Sequence, residues 1–511
     1  MTNTNKNVAT PNPESIALQR KLKPVRSLME GTEKMRELGE EYLPKEEGET
    51  SEEYKRRLKR TFLYNYFKRT VGALVGKPFS KPINKPETLP EIIDQVCMDV
   101  DLQGNDLTTF GKALFEDAIQ AGITYILIDY PKTNTDEYGV ISVADERTLN
   151  LRPYWVHLKA ENVIGWKSIS VNGVHCLKQI RFKRTVTEPE DDYNDKELEQ
   201  IVVINYDPMA TESAVSFEVH QYNEKASSKE GQWMIVETGY YSGVTSIPLV
   251  PVIVSKTGFM TAEPPLLDLA HLQISHYQKQ SDYDNIVHAI QVPILFGKGW
   301  GDKKGNSKMQ LGSNRFWTTN NVDSDLKYVE HTGAAAKVGA DSIAKLEDQM
   351  MKMSIRLLSE RSPGGVTATE ASLDSESAES ALKSMVTDLT VSIGVAMDYT
   401  YEWLDMERPD DHIFEVNDDF GLMIGNDMIA QWLLKAQQAG ILTKKTVGEE
   451  AKKVGYISEQ IDIEEEIELA SEESMAAASM MADLMDTGDA EDEENLNPNP
   501  PSGQDEGEES E

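Results

Sequence analysis

Apolar residues recur at three- and four-residue steps in the first quarter of the chain. They alternate at two-residue steps through the second quarter and return to the helical step from residue 264 onward. The pattern predicts helices, then an antiparallel β-rich stretch, then helices. Residues 1–50 are polar, and Pro11, Pro13, Pro24 and Pro44 are expected to break any long helix there, leaving a flexible N-terminal extension. Over 51–75, Leu58, Phe62, Tyr66 and Thr70 fall at four-residue steps and predict one helix, with Ser51 as N-cap and Glu53 in its first turn. Gly76-Lys77-Pro78 ends it. A second helix is expected from about Leu107 to Gln120, and Ile123 to Tyr130 reads as a buried strand stopped by Pro131. Strand-like runs follow at 151–158, 174–186, 199–206, 214–222 and 231–238, with 188–199 as a charged exposed loop.

Pro264-Pro265 opens a helix to about Ile290, carried by Leu266, Leu269, Ala270, Leu272, Ile274, Tyr277 and Ile286. A short strand at 292–297 leads into a glycine-punctuated insert reaching about Glu330. Asp341 opens another helix, with Ile343, Leu346, Met350, Met353 and Leu357 at helical steps, ending at Ser362-Pro363-Gly364-Gly365. A long helix from about Thr369 to Met406, a strand at 413–416 and helices at 426–439, 443–453 and 458–480 complete the pattern.

Charge divides the chain at Lys453. From Gly455 to Glu511 there is no Lys, Arg or His, and 20 residues are Asp or Glu; the remainder carries 51 Lys and Arg against 67 Asp and Glu. One sign of charge with little apolar content predicts a disordered acidic tail over 481–511. The net charge of −36 argues against sequence-independent adhesion to DNA, since a binder replaces counterions with Lys and Arg. It is compatible with DNA passing an acidic wall that repels it. No apolar run approaches a membrane span, and the first 13 residues lack the apolar core of a secretory signal. Cys97 and Cys176 form no CxxC pair and are read as reduced core residues of a protein made in a reducing cytoplasm.

Catalytic motifs are weak. Gly72-Ala-Leu-Val-Gly76-Lys77 is one residue short of a phosphate-binding loop, with Pro78 where Ser or Thr belongs. Ile126-Leu127-Ile128-Asp129 resembles the strand that accompanies such a loop but lacks its partner, and Gly297-Lys-Gly299-Trp-Gly301 reads as a flexible hairpin. His271, His276 and His288 share a helix, but His271 and His276 lie about 140° apart around it and cannot clamp one metal. Asp418-Asp419 is a weak candidate for a metal-dependent nuclease. No cofactor, metal or catalytic residue is assigned. The basic segment with Lys55, Arg56, Arg57, Arg60 and Arg69 suits either nucleic acid or the acidic face of a neighbouring subunit, and the subunit reading is favoured.

The order of elements is more informative: two helices flanking a small β-rich insert, a Pro-Gly-Gly loop, a long helix, a strand and an acidic helical end. This order resembles the portal proteins of tailed bacteriophages, above all a branch formerly described only as a phage family of unknown function with portal-like architecture. The resemblance covers roughly residues 50–475. It is carried by Tyr54-Lys-Arg-Arg-Leu58 with Asn65 to Val71 and Gly76-Lys-Pro-Phe79; by Ala121 to Tyr130; by Gly364-Gly-Val-Thr-Ala-Thr-Glu-Ala371; and by Ala439-Gly-Ile-Leu-Thr443 with Thr446, continuing to Ile461-Asp-Ile-Glu-Glu-Glu466.

What the resemblance implies is an α+β fold of the phage portal kind, with wing, stem helices, clip and helical crown. Residues 51–255 would form the wing, 256–290 and 336–361 the stem, 291–335 the clip and 362–370 a tunnel loop. The long wing helix and return strand would occupy 371–420, and the crown 421–480. The loop would present Pro363, Gly364, Gly365, Val366, Thr367 and Thr369 to DNA, and Glu347, Asp348 and Glu360 would line the channel. The implied function is structural rather than enzymatic: a homo-oligomeric ring, usually a dodecamer, at one capsid vertex of the virion. It would pass double-stranded DNA without sequence specificity during packaging and ejection. Its partners would be the major capsid protein, scaffold, terminase and head–tail adaptor. The alternative is a DNA-processing enzyme of the packaging machinery, either a motor subunit or a metal-dependent nuclease.

Overall fold

The computed structural model describes residues 7–131, 150–210, 214–223, 233–291, 294–298, 323–329, 334–358, 368–418, 442–453 and 461–471, with isolated positions at 434–435, 437–438, 440 and 475. The chain forms two compact units, Met1–Phe420 and Gly421–Glu511.

The first unit is mixed α+β with antiparallel sheets. Six helices lead it: α1 (Pro13–Glu30), α2 (Thr32–Leu38), α3 (Ser51–Arg60), α4 (Tyr66–Gly76), α5 (Glu91–Met98) and α6 (Leu107–Ala121). Strand β1 (Ile123–Asp129) then pairs on both edges, with β2 (Tyr154–Leu158) and with β8 (Leu249–Ile253). Its near-continuous apolar run follows from burial on both faces. Ile126 and Ile128 point into a helical core, whereas Ile123, Tyr125 and Leu127 point into a β core. Gly122 links α6 to β1 at φ +80°, and its missing Cβ admits the Glu263 carbonyl.

Between β2 and β8 the chain builds a five-stranded meander: β3 (Val163–Val171), β4 (Val174–Pro189), β5 (Asp195–Tyr206), β6 (Val215–Tyr222) and β7 (Trp233–Tyr241), in that spatial order. The short pair β9 (Lys256–Gly258) and β10 (Thr261–Ala262) precedes three long helices, α7 (Leu267–Ile290), α8 (Ala334–Leu358) and α9 (Ala368–Trp403). Between α7 and α8 lies the hairpin of β11 (Ile294–Lys298) and β12 (Asp325–Val329). The helical core gathers Val25 and Leu28 of α1, Phe67 and Leu74 of α4, Phe115 of α6, Leu269 and Tyr277 of α7, Met350 of α8, and Leu389 and Ile393 of α9.

Several sequence-based expectations are corrected. Residues 1–50 are not a flexible extension over their described part. Pro13 occupies the first turn of α1, where its missing N–H costs nothing, and Asn12 Oδ1 accepts from the Ser15 amide at 2.8 Å. Pro24 lies inside the helix, where burial of Leu22, Val25 and Leu28 offsets the lost hydrogen bond. The single helix expected over 51–75 is two, broken at Thr61, whose ψ of 131° is extended. The N-cap is Thr50, in a reciprocal capping box with Glu53, rather than Ser51. The charged loop expected at 188–199 is largely the paired ends of β4 and β5. Cys97 is buried, and burial pushes its thiol up to about 12, but Cys176 is only half-buried on β4. The pattern over 163–171 and 249–253 escaped notice, although both are strands, as did α5.

The second unit contains α10 (Lys444–Lys453), capped by Thr443 Oγ1 accepting from the Thr446 amide at 3.2 Å. Gly448 lies against Ile463, and Lys445 pairs with Glu464 at 2.5 Å. The tail over 481–511 lies outside the described residues.

A buried polar group ties α1 to α6 and to the turn between β2 and β3. Arg26 reaches Asp117 at 2.5 Å and Glu161 at 2.9 Å, and it donates to Gln120 Oε1 at 2.6 Å. Burial works against the Asp117 charge, but His157 and Arg26 outweigh it and hold the carboxyl below its ordinary value. A depressed carboxylate stabilises the fold above its unfolded value and stops doing so as pH falls through the folded one. Thermal unfolding temperature should therefore drop below about pH 4, and Asp117→Asn should lose part of that slope. Because Leu28 is fully buried, Leu28→Ala should destabilise the first unit by about 2–5 kcal/mol in urea titration. A near-neutral result would mean that α1 is not part of the core.

Candidate functional site

The feature with functional potential is the α7–hairpin–α8 arm. With 24 and 25 residues, each helix is about 36 Å long. Three contacts set their register: His276 Nε2 to Glu347 Oε1 at 3.1 Å, Lys279 Nζ to Ser342 Oγ at 3.2 Å, and the Tyr283 ring against Gly339. Seven residues forward along α7 are matched by eight back along α8, so the helices run antiparallel side by side. A Cβ on Gly339 would sit 3.0 Å from the Tyr283 ring, so glycine permits the close approach.

The base of the arm is built into the helical core. Leu269, Ala270, Gln273, His276 and Tyr277 recur at three- and four-residue steps on α7 and are essentially buried. From Asp282 onward no described α7 side chain is fully buried, and on α8 Val338 is 70% exposed.

Two polar clamps hold that base. Where the chain leaves α3 and re-enters helix at α4, backbone groups are left without intrahelical partners. Gln273 accepts from the Tyr66 and Phe67 amides at 3.0 and 3.2 Å and donates to the Tyr64 carbonyl at 2.8 Å. Arg57 forks onto Glu49 at 2.9 and 2.8 Å, donates to the Pro44 carbonyl at 2.8 Å, and lies 3.7 Å from Asp282 of α7. The hydrogen bond from Arg57 also holds the Glu49 carboxyl below its ordinary value. Thr61 Oγ1 meets Ser281 Oγ at 2.8 Å beside it.

These clamps revise the basic segment. Arg57, assigned to a subunit interface, is only 3% exposed and acts within the chain. Lys55, Arg56, Arg60 and Arg69 are exposed, with Arg60 donating to Asn285 Oδ1 at 3.3 Å. Of the residues assigned to a channel wall, Glu347 is half-exposed and engaged by His276, and Asp348 pairs with Lys352 at 2.7 Å on the outer face of α8. Glu360 lies outside the described residues, as do Pro363, Gly364, Gly365, Val366 and Thr367; Thr369 falls in the first turn of α9. Gln273 and Glu49 were missed in the sequence. The signal for Gln273 was an amide at the centre of the apolar row Leu269–Gln273–Tyr277, which a buried position tolerates only when its hydrogen bonds are met.

The enzyme-like signals fare differently. Gly72, Gly76 and the residues between them are one helix, so no loop there presents amides to a phosphate. Asp418 pairs with Lys383 at 3.1 Å. Among the described residues, no group of three or more His, Cys, Asp or Glu is placed to hold a metal ion. Both the Thr124 hydroxyl, at 2.9 Å, and Asp117, at 3.5 Å, face Nε2 of His157. A nucleophile–base–carboxylate relay needs them on opposite ring nitrogens. A polar cleft of about 220 Å³ between α3 and α7, lined by Arg57, Arg60, Ser281 and His288 among others, is smaller than usual small-molecule sites. No described helix is long and apolar enough to cross a membrane.

A family model described as "Domain of unknown function (DUF4055)" matches residues 265–404, the span of the arm and α9. No curated protein matches the chain. Among solved structures, a chain of the virion of a native gene transfer agent particle is similar at TM-score 0.36 and 10% identity, covering 75% of this chain and 87% of that one. A chain from the neck of the native particle, computed with C12 symmetry, is similar at TM-score 0.37 and 10% identity over 76% and 88%. These scores are too low to establish a common fold.

Arg57→Ala strands Glu49 in a nearly closed site, and urea titration should show a loss of about 3–5 kcal/mol. Arg57→Lys should recover only part of it, because an ammonium cannot make the paired contact. Equal stability of all three proteins would show that the clamp does not hold the arm.

Proposed function

We propose that the chain is the subunit of a ring-shaped portal in a tailed-phage-like particle, a passage for double-stranded DNA and a docking platform rather than an enzyme. The observation that supports this most directly is the arm: two antiparallel helices of 24 and 25 residues, seated at one end in a mixed core and joined at the other by a β-hairpin. Rods of this kind arranged around an axis make a tube wall, and their tips make a rim. In this reading α7 and α8 are the stem, β11 and β12 belong to the clip that meets terminase and then the head–tail adaptor, and the meander is part of the wing. Residues 362–370, the last three of which lie in the first turn of α9, are assigned to the tunnel loop, and Gly364 and Gly365 would let it change shape as DNA slides.

Glu347, Asp348 and Glu360 are assigned to the passage wall. Since Asp348 pairs with Lys352 and Glu347 is shared with His276, that wall would be closer to neutral than the carboxylates alone suggest, and DNA would find no excess of cations to adhere to. Residues 421–480 are the crown inside a capsid in this reading. Ring assembly on the capsid protein and scaffold at one vertex completes the proposal, with the virion as its location. The motor alternative is weakened because its nearest phosphate-loop match is helical.

Native mass spectrometry of the purified chain with negative-stain averaging is the direct test. The expected result is a closed ring of about twelve 57.2 kDa subunits around a hole; nucleotide hydrolysis by a monomer would overturn it. Within the ring, replacing 363–369 by a Gly-Ser segment should reduce DNA packaging or retention while rings still form. Normal packaging combined with failed rings would refute the loop assignment.

A further inference from the structure

Two exposed faces of the first unit carry opposite charges beside apolar residues, with no ion pair closer than 4 Å across either set among the described residues, although Arg56 acts on Glu53 of the same helix at longer range. One is the corner between α3 and α4. Phe62 and Tyr64, in the connecting segment, are 61% and 50% exposed. Around them stand Lys55, Arg56, Lys59, Lys68 and Arg69, all exposed, with no carboxylate within 4 Å of their charged groups among the described residues. The Gln273 clamp fixes the backbone of this corner, so its aromatic residues are presented on a rigid support.

The other face lies along α9 and the segment after it. Val391 and Val395 are 61% and 38% exposed, and Ile413 is 55% exposed. Arg408 folds the segment back onto the helix, donating to the Gly394 carbonyl at 2.7 Å and pairing with Asp398 at 3.1 Å. That consumes the cation nearest in sequence. Asp405, Glu407, Asp410 and Asp411 remain exposed, with no cation within 4 Å among the described residues.

We infer that these faces are the two halves of a head-to-tail contact: the acid-rimmed apolar face of α9 in one copy seats on the base-rimmed aromatic corner of the next. The inference rests on the ring reading and specifies its interface. Apolar centres with charged rims are the anatomy of protein–protein contacts, and opposite rims steer the encounter and fix its register. Because the faces differ, the contact is heterologous, and repeated copies close into a ring when the rotation permits. A nucleic acid on the corner is the weaker occupant. The complementary acidic face is on the same chain, and a chain of net charge −36 repels DNA over most of its surface.

The test uses full-length chains. Variant A carries Lys55→Glu, Arg56→Glu and Lys59→Glu; variant B carries Asp405→Lys, Glu407→Lys and Asp411→Lys. Each alone presents like charges on both faces and should lose ring formation at least tenfold in native mass spectrometry. Mixed in equal amounts, A and B present one native and one reversed contact and should form rings of alternating composition. Single reversals, Arg56→Glu and Glu407→Lys, serve in place of any triple variant that fails to fold.

Rings formed by A alone and B alone as readily as by the wild type would overturn the inference and leave the ring reading intact. So would folded variants whose mixture stays unassembled. Loss of labelled 30-base-pair duplex binding by A, with its rings unaffected, would reassign the corner to nucleic acid. A wild-type chain that stays monomeric at every concentration even when scaffold and capsid protein are present would overturn the ring reading itself.

Discussion

The first unit depends on the seating of the base of α7 in the helical core. A helix of 24 residues with an exposed far half has little stability of its own in water; packing of its apolar row supplies most of it. The base also meets a break between two helices, where backbone groups need partners. Gln273 supplies them from within the apolar row, so hydrophobic seating and polar completion occur on the same turn. Arg57 does the same one helix earlier, using four of its five N–H donors on Glu49, the Pro44 carbonyl and Ser281 of α7. Both groups stay buried only because nearly all of their hydrogen-bonding capacity is used.

This explains why basic character in a short helix is a poor guide to surface. On α3, Tyr54 and Arg57 are three residues apart and share the inward side, while Lys55, Arg56 and Lys59 take the outward one. Composition treats these cations as one group, but helix geometry separates a structural clamp from the rim around Phe62 and Tyr64. The face of α9 shows the same principle with the opposite sign: Arg408 is used internally and leaves a carboxylate rim.

What was legible in the sequence followed the strength of its periodic signal. The arm could be read because α7 keeps an apolar row from Leu269 to Tyr277 and α8 one from Ile343 to Met350, and β1 because its run is apolar on both faces. Boundaries set by local hydrogen bonding were harder. The break at Thr61 preserves the four-residue spacing of Leu58, Phe62 and Tyr66, so periodicity passes across it, although Phe62 ends up exposed. Helix α1 was hidden by its prolines, one of which sits where a helix accepts it. The strand at 163–171 mixes buried and exposed residues because only its first part lies over the core. At the candidate site, the arm's position was legible but its clamps were not, since Glu49 and Arg57 become partners only once the chain turns back between α2 and α3.

The helical core joins the two ends of the first unit: Val25 and Leu28 come from α1, and Leu389, Ile393 and Met397 from α9. On a ribosome the earliest of these side chains emerges more than 350 residues before the last. At 5–20 residues per second, the interval is about 20–70 s. Throughout that time α1 and α4 have their apolar sides made but not covered, while the meander, whose strands pair with their neighbours in sequence, can already close. The order of synthesis therefore leaves the oldest part of the chain dependent on the youngest for its shelter, and the nascent chain passes through a long sticky stage before its core can close.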